Sequence, residues 1–535
     1  MKRIYTTFLL FSIIVSLQAQ NAADSEELKA LLQEVRAERI AAQQAQNKAD
    51  SLLKILEQHE QRISHHSVDA YSGATVQADA YTGATAVSDT ASPQHIRRHY
   101  AGTQESPKMV RGEGERPRWL QNRLTIGGYG EITAKHCFFS NNYLRYGKNP
   151  ERFAGDHYGE FDLPHVVIYL GYDFGKGWSM GSEIEFEHGG TESAIEIEEE
   201  EGGEYESEVE RGGEVALEQF WLQKKFNDYA VIRAGMQVIP IGGLNAHHEP
   251  TEFFGVYRPE GEFTIIPSTW HEVALTFMGK TPFGLSYQAM FLPGLDSDRF
   301  NRKNWIKPGA GSPYEFKLAN VFAGAARVDY SGVKGLRLSL SGYCGNSFRN
   351  TLSLSNKEID NSAYKDVRGT VSIGSFDFCY NDFNTIIRGS ATYGHLSDAA
   401  AITQYNLGMR KGSVSSKQWI ASDAIAVGLE AGYDFFSFSE TLHQKDHRFF
   451  VFARYDWYDS MFRYDNQPTD AFAWCGRQRF AVGINYFPIR EVAVKAEFAY
   501  GILNKGILAD GTKGKLYNDE PQISVGIVYA GFFKL

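Results

Sequence analysis

Two hydroxyls stand out. Thr75 and Thr85 close near-identical strings, Asp69-Ala70-Tyr71-Ser72-Gly73-Ala74-Thr75 and Asp79-Ala80-Tyr81-Thr82-Gly83-Ala84-Thr85. An alcohol is a weak nucleophile and needs a base supplied from outside. Small residues ahead of each threonine let the backbone approach another surface closely. The plainer reading is a duplicated low-complexity spacer of Ala, Gly, Ser and Thr. A single duplication suffices to make both copies, so the second adds no independent weight.

Other groups could bind ions. His247 and His248, followed by Glu249 and Glu252, are metal-capable, but adjacent loop histidines have no enforced geometry, and no metal site is expected there. The glutamate run between Ile195 and Val209 offers hard oxygen donors, yet reads as a solvated acidic loop. Arg233, Arg327, Arg337, Arg388, Arg454 and Lys495 recur at positions that alternate with apolar residues, interleaved with Glu183, Glu185, Glu187, Asp456 and Glu497. No nucleophile-base arrangement stands out, so no catalytic residue is assigned and no free-standing enzyme is expected. Cys137, Cys344, Cys379 and Cys475 form no CxxC or CxxCH, which argues against a zinc ribbon, a thioredoxin-like site or attached haem. The net charge of -11 argues against a nucleic-acid partner.

The elements carrying these groups fall into four regions. Residues 1–19 have a basic start at Lys2 and Arg3, an apolar run from Phe8 to Leu17 and a small Ala19, the pattern of a secretory signal peptide. In 20–63, Leu28, Leu31, Val35, Ala42, Ala45, Ala49, Leu52 and Leu56 fall on heptad a and d positions, which predicts a short coiled coil; a single solvated helix is the alternative. Residues 64–122 are polar and small, with Pro93, Pro107 and Pro117, and read as a flexible linker containing the repeat.

From 123 to 535 the texture becomes alternating segments of roughly ten residues, the pattern of a transmembrane β-barrel. Trp178, Met180, Ile184 and Phe186 share one face and Glu183, Glu185 and Glu187 the other. Leu336, Leu338 and Leu340 oppose Arg337, Ser339 and Ser341, and Lys495 and Glu497 alternate with apolar neighbours. In the final strand Ile523, Val525, Ile527 and Tyr529 are expected to face outward. Short connections alternate with long ones, giving about 16 strands with both ends on the periplasmic side. The expected class is therefore an all-β, antiparallel transmembrane barrel in outer-membrane lipid, with a water-holding lumen.

The stretch from Gly235 through Trp270, with its Pro- and Gly-marked loop leading into Ile265-Ile266-Pro267-Ser268-Thr269-Trp270, resembles the phosphate-selective porin (O and P type) family. The resemblance covers about residues 124–535 and implies a homotrimeric, sixteen-stranded pore whose third loop folds inward. Phosphate selectivity would need a ladder of cations. Arg233, Arg327, Arg337, Arg388, Arg454 and Lys495 are its candidates, and charged linings of any aqueous barrel are the alternative. The repeated string resembles the acceptor motif of proteins modified by periplasmic FMN transferases, known from sodium-pumping NADH:quinone reductases and related complexes. That resemblance implies covalent FMN joined through its phosphate to Thr75 and Thr85. Asp69, Ser72, Gly73, Ala74, Asp79, Thr82, Gly83 and Ala84 would complete the acceptor strings. The implied partners are an FMN transferase and a periplasmic electron donor that the sequence does not identify. Two functions follow: a pore carrying a flavin on a periplasmic tether, or a non-redox general or anion-selective diffusion porin.

Overall fold

The structure, a computed structural model, describes residues 123–138, 157–188, 193–199, 205–211, 214–311, 317–351, 361–409, 415–464, 472–504 and 517–534. The expected signal peptide, coiled coil and linker, including both acceptor strings, lie outside the described residues.

The described strands are β1 (Leu124–Phe138), β2 (His157–Asp162), β3 (His165–Gly175), β4 (Trp178–Glu187), β5 (Ser193–Glu199), β6 (Tyr205–Arg211), β7 (Glu214–Asn227), β8 (Ala230–Val238), β9 (His271–Lys280) and β10 (Leu285–Pro293). They continue with β11 (Phe322–Val333), β12 (Leu336–Asn346), β13 (Thr370–Asp382), β14 (Thr385–Leu396), β15 (Asp423–Asp434), β16 (Arg448–Arg463), β17 (Gly476–Ile489), β18 (Val492–Leu503) and β19 (Tyr517–Lys534). Four short helices accompany them: α1 (Gly242–Ala246), α2 (Glu260–Ile265), α3 (Ala399–Gly408) and α4 (Glu440–Gln444).

Seventeen strands form one antiparallel sheet, which closes when β19 returns to pair with β1 from Thr125↔Lys534 to Cys137↔Gln522. β2 and β3 occupy one wall position. They pair with the upper and lower parts of β1, and the break between them falls at Leu163-Pro164, where proline has no N–H to donate. The wall therefore has sixteen positions, in agreement with the alternation in the sequence. The acidic run forms a separate hairpin, β5 with β6, outside the barrel sheet.

Side-chain alternation sorts the two faces. Along β12, Leu338 and Leu340 are exposed while Arg337, Ser339 and Ser341 are buried. Ile523, Val525, Ile527 and Tyr529 of β19 are exposed as expected. Val273, Leu275 and Phe277 on β9 and Phe480 and Val482 on β17 continue this apolar skin around the wall. So large an apolar exterior is stable only against another apolar phase. Closure supplies the other requirement of lipid, a sheet with no open edge. Among the described residues no helix is long and apolar enough to cross a membrane; the strands can do so.

Short turns join the strands at the end where β1 starts and β19 finishes, as at Lys176-Gly177, Asp228-Tyr229, Lys334-Gly335 and Arg490-Glu491. One connection at that end is longer than the alternation suggests. Between β15 and β16, a 3-10 turn at Phe435–Phe438 and α4 are inserted.

Replacing Leu340, 63% exposed near the middle of β12, by Arg should destabilise the lipid-embedded barrel by about 2–4 kcal/mol. Urea unfolding from lipid vesicles measures this; an unchanged midpoint would remove Leu340 from the lipid-facing surface.

Candidate functional site

The third long connection, residues 239–270 between β8 and β9, enters the bore, as the porin resemblance implied. Buried Asn245 ties its two ends together. Its Nδ2 donates to the carbonyls of Ile241 and Pro267, both at 3.0 Å, and its Oδ1 accepts from the Trp270 amide at 2.8 Å. At the loop entrance Gly242 has φ +82, and a Cβ there would also meet a Glu262 carboxylate oxygen at 3.0 Å, so the turn requires glycine.

Charged wall residues hold the loop by its backbone. Lys495 Nζ donates to the carbonyls of Pro250 (2.5 Å), Phe253 (2.8 Å) and Gly255 (2.8 Å). Arg327 Nη1 donates to the Gly242 carbonyl at 3.0 Å, and Arg454 Nη1 to the Tyr257 carbonyl at 3.3 Å. Glu430 accepts from the Phe254 amide at 3.3 Å and Glu497 from the Val256 amide at 3.1 Å. Within the loop, Glu262 accepts from the Gly243 and Leu244 amides. Burial pushes the Glu262 carboxyl above its usual range, opposed by those two bonds. Partners on β11, β15, β16 and β18 place the loop across most of the bore.

All six cations named from the sequence face inward, and each is engaged. Arg327 pairs with Asp329 and Asp377, both at 2.8 Å, Arg337 with Asp377 at 3.0 Å, Arg388 with Glu430 at 2.7 Å and Arg454 with Asp456 at 2.9 Å. Arg233 lies over the Trp221 ring at 4.0 Å and donates twice to Gln223. Lys495 is used by the loop carbonyls. These cations thus form a mixed network of wall ion pairs and loop staples. Arg479, not singled out in the sequence, links loop Glu260 (3.2 Å) to wall Glu497 (2.9 Å). Its place in the alternating string Arg477-Gln478-Arg479 was the available signal.

Apolar side chains also pack inside the wall, beside the charged lining. Toward the long-loop end, Ile239, Ile241, Trp270, Phe300, Trp305 and Ile402 belong to one buried cluster. Deeper, Phe254 at the loop tip stacks on Phe452 at 5.3 Å and joins Phe450, Phe487 and Val528. Glu183 and Glu185 face inward as expected, but both are buried rather than open to water.

His247 and His248 are fixed in this loop. His248 is buried and its Nδ1 bonds the Asn245 carbonyl at 3.1 Å, while His247 Nδ1 lies 3.8 Å from Glu252. Burial pushes both imidazoles below their ordinary range. In the next long connection, Asp296 and Asp298 are buried near Arg299, Lys317 and Arg349. Burial raises both carboxyls, and mutual repulsion adds to the rise at Asp296.

No protein-family model matches the chain. It is 27% identical over 384 residues to an uncharacterised protein of Aquifex aeolicus (strain VF5), covering 71% of this chain and 76% of that protein. Among solved structures it is similar to OmpF of Salmonella typhi in complex with daunomycin, at 11% identity and TM-score 0.44, covering 78% of this chain and 99% of that one. It is also similar to the outer-membrane channel DcaP of Acinetobacter baumannii, at 10% identity and TM-score 0.41, covering 76% and 97% respectively. For OmpT of Vibrio cholerae the identity is 10%, the TM-score 0.38 and the coverage 79% and 100%.

Replacing Lys495 by Met removes its three hydrogen bonds to the carbonyls of Pro250, Phe253 and Gly255, where a hydrogen bond from a charged group is worth about 1.5–3 kcal/mol. Single-channel recordings should show larger, noisier conductance; an unchanged trace would show that Lys495 does not hold the constriction. The paired aspartates give a second expectation. Ordered, the segment binds more protons than when opened, so its stability is complete below the ordinary carboxylate range near 4 and declines as pH rises toward neutrality. Amide exchange over 294–311 should quicken from acid to alkaline pH beyond the intrinsic chemical rate, and Asp298→Asn should flatten that trend.

Proposed function

We propose that this chain is an outer-membrane pore protein whose bore is narrowed by its third loop and whose periplasmic N-terminal segment carries covalent FMN. The observation supporting the pore is the closed barrel itself, with an apolar skin and an inward lining of charged residues stapled to loop 239–270. The flavin reading rests on the acceptor strings ending at Thr75 and Thr85. The threonine oxygen would form a new bond to the flavin-side phosphorus of a dinucleotide. The phosphoanhydride bond breaks, the mononucleotide leaves, and the hydroxyl proton passes to a base on the transferase. The flavin would supply the electron chemistry, while the protein supplies placement beside the membrane. A homotrimer in outer-membrane lipid is part of this reading.

The second reading is a diffusion porin without a redox group, general or anion-preferring. The inward cluster of Arg327, Arg337, Arg388, Arg454 and Lys495 favours an anion preference, and the carboxylates among them oppose it.

Flavin fluorescence of the denatured protein separates the two readings. Protein from transferase-positive cells should fluoresce in a gel; T75A together with T85A should abolish the band. A dark native protein would overturn the flavin reading, and a persistent band in the double variant would displace the site. Reversal potentials in asymmetric salt then report the pore: a shift toward the anion potential supports a net cationic path, and no shift removes it.

A further inference from the structure

Glu183, Glu218 and His248 bring three potential ligand atoms within 4.8 Å of one another, all on buried residues. Glu183 comes from β4, Glu218 from β7 and His248 from the inward loop. The wall is irregular at this point. Glu183 pairs with Gln219 while Ile184 pairs with Leu217, so Glu218 is the extra residue of a β-bulge. Leu217 and Phe220 on either side point outward, leaving both Glu218 and Gln219 to turn inward. Gln219 then donates to Glu183, and Glu218 enters the cluster. Bulges re-aim side chains in this way beside functional sites.

The histidine is oriented as a ligand. Its Nδ1 faces the Asn245 carbonyl at 3.1 Å, which takes the ring N–H there and leaves the Nε2 lone pair toward the carboxylates. Asn245 is itself locked by three hydrogen bonds. Nε2 lies 3.6 Å from Glu218 Oε1, too long for a good hydrogen bond. It is close to the roughly 3.4 Å that separates two ligands bound at about 2.1 Å to one tetrahedral ion. Glu218 is fully buried, and its Oε1 has no hydrogen-bond partner among the described residues. Its other oxygen accepts from the Tyr129 hydroxyl at 3.4 Å. Buried Glu131 and Glu185 add further negative charge nearby, with Arg258 in electrostatic reach.

We propose that Glu183, Glu218 and His248 form a site for one divalent transition-metal ion of the zinc class, bridging the inward loop to the barrel wall. An imidazole with two carboxylates suits zinc-like ions, whereas calcium and magnesium prefer oxygen-only sets. With three protein ligands, a fourth position is left for water or a solute anion. The ion would add a cross-link from the loop to β4 and β7, whereas Lys495 grips the following loop residues from β18.

Full-length protein in detergent, stripped with a chelator and freed of it, is titrated with zinc chloride in a calorimeter. A parallel titration with cobalt chloride is followed by visible absorption. The expected result is uptake of one ion per chain, with a cobalt spectrum of mixed nitrogen and oxygen ligation. H248Q and E218Q should both abolish that uptake, while H165Q, which alters the neighbouring His165–Glu185 pair, should retain it. Heat-modifiable gel mobility verifies that each variant forms the barrel, and H248Q, altered on a loop rather than in the wall, serves even if E218Q does not fold. The proposal fails if the native chain takes up neither metal stoichiometrically, if H248Q binds as the native chain does, or if H165Q abolishes uptake.

Discussion

Everything in this molecule follows from a sheet that must leave no backbone edge inside lipid. Pairing of β19 with β1 satisfies that constraint, and sixteen wall positions set the width of the bore. Once the outer face is committed to apolar residues, alternation sends every second side chain inward. A ring of that size must then be occupied by water or by the chain's own loops.

Here the loops take much of the space, and the chemistry of the lining changes accordingly. A lysine in an open channel is a solvated charge; Lys495, buried against three carbonyls, is a structural clamp. Buried charges persist when paired and hydrogen-bonded, and the arginines of β11, β12, β14 and β16 meet that condition with carboxylates from the wall. The same residues that line a passage therefore fasten the segment that narrows it.

Much of the barrel was legible in the sequence, because period-two alternation is a local property. Leu338 and Leu340 against Arg337 and Ser339 needed no tertiary information. What failed to show were features made by non-local packing or by breaks in the period. The apolar cluster around Trp270 and Trp305 draws on several loops, each unremarkable alone. Asn245 gains its role only when both ends of its loop return to the rim. Glu218 was legible in principle, since two successive polar residues between outward Leu217 and Phe220 interrupt the alternation. That the interruption is a bulge depends on its pairing with β4, a non-local contact. His248 was noticed, and adjacency alone implied no geometry; the fixed ring comes from the Asn245 carbonyl.

The proline break between β2 and β3 has a mechanical meaning. β1 runs in register with β3 up to Gly130 and resumes with β2 at Thr133, leaving Glu131 and Ile132 without a rung on that side, while its other flank joins the two distant ends of the chain. One stave thus carries both the splice that closes the cask and a gap in its hooping. Stiffness around the circumference is uneven, and thermal prying should start along β1, sparing the hairpins opposite, whose ladders run unbroken.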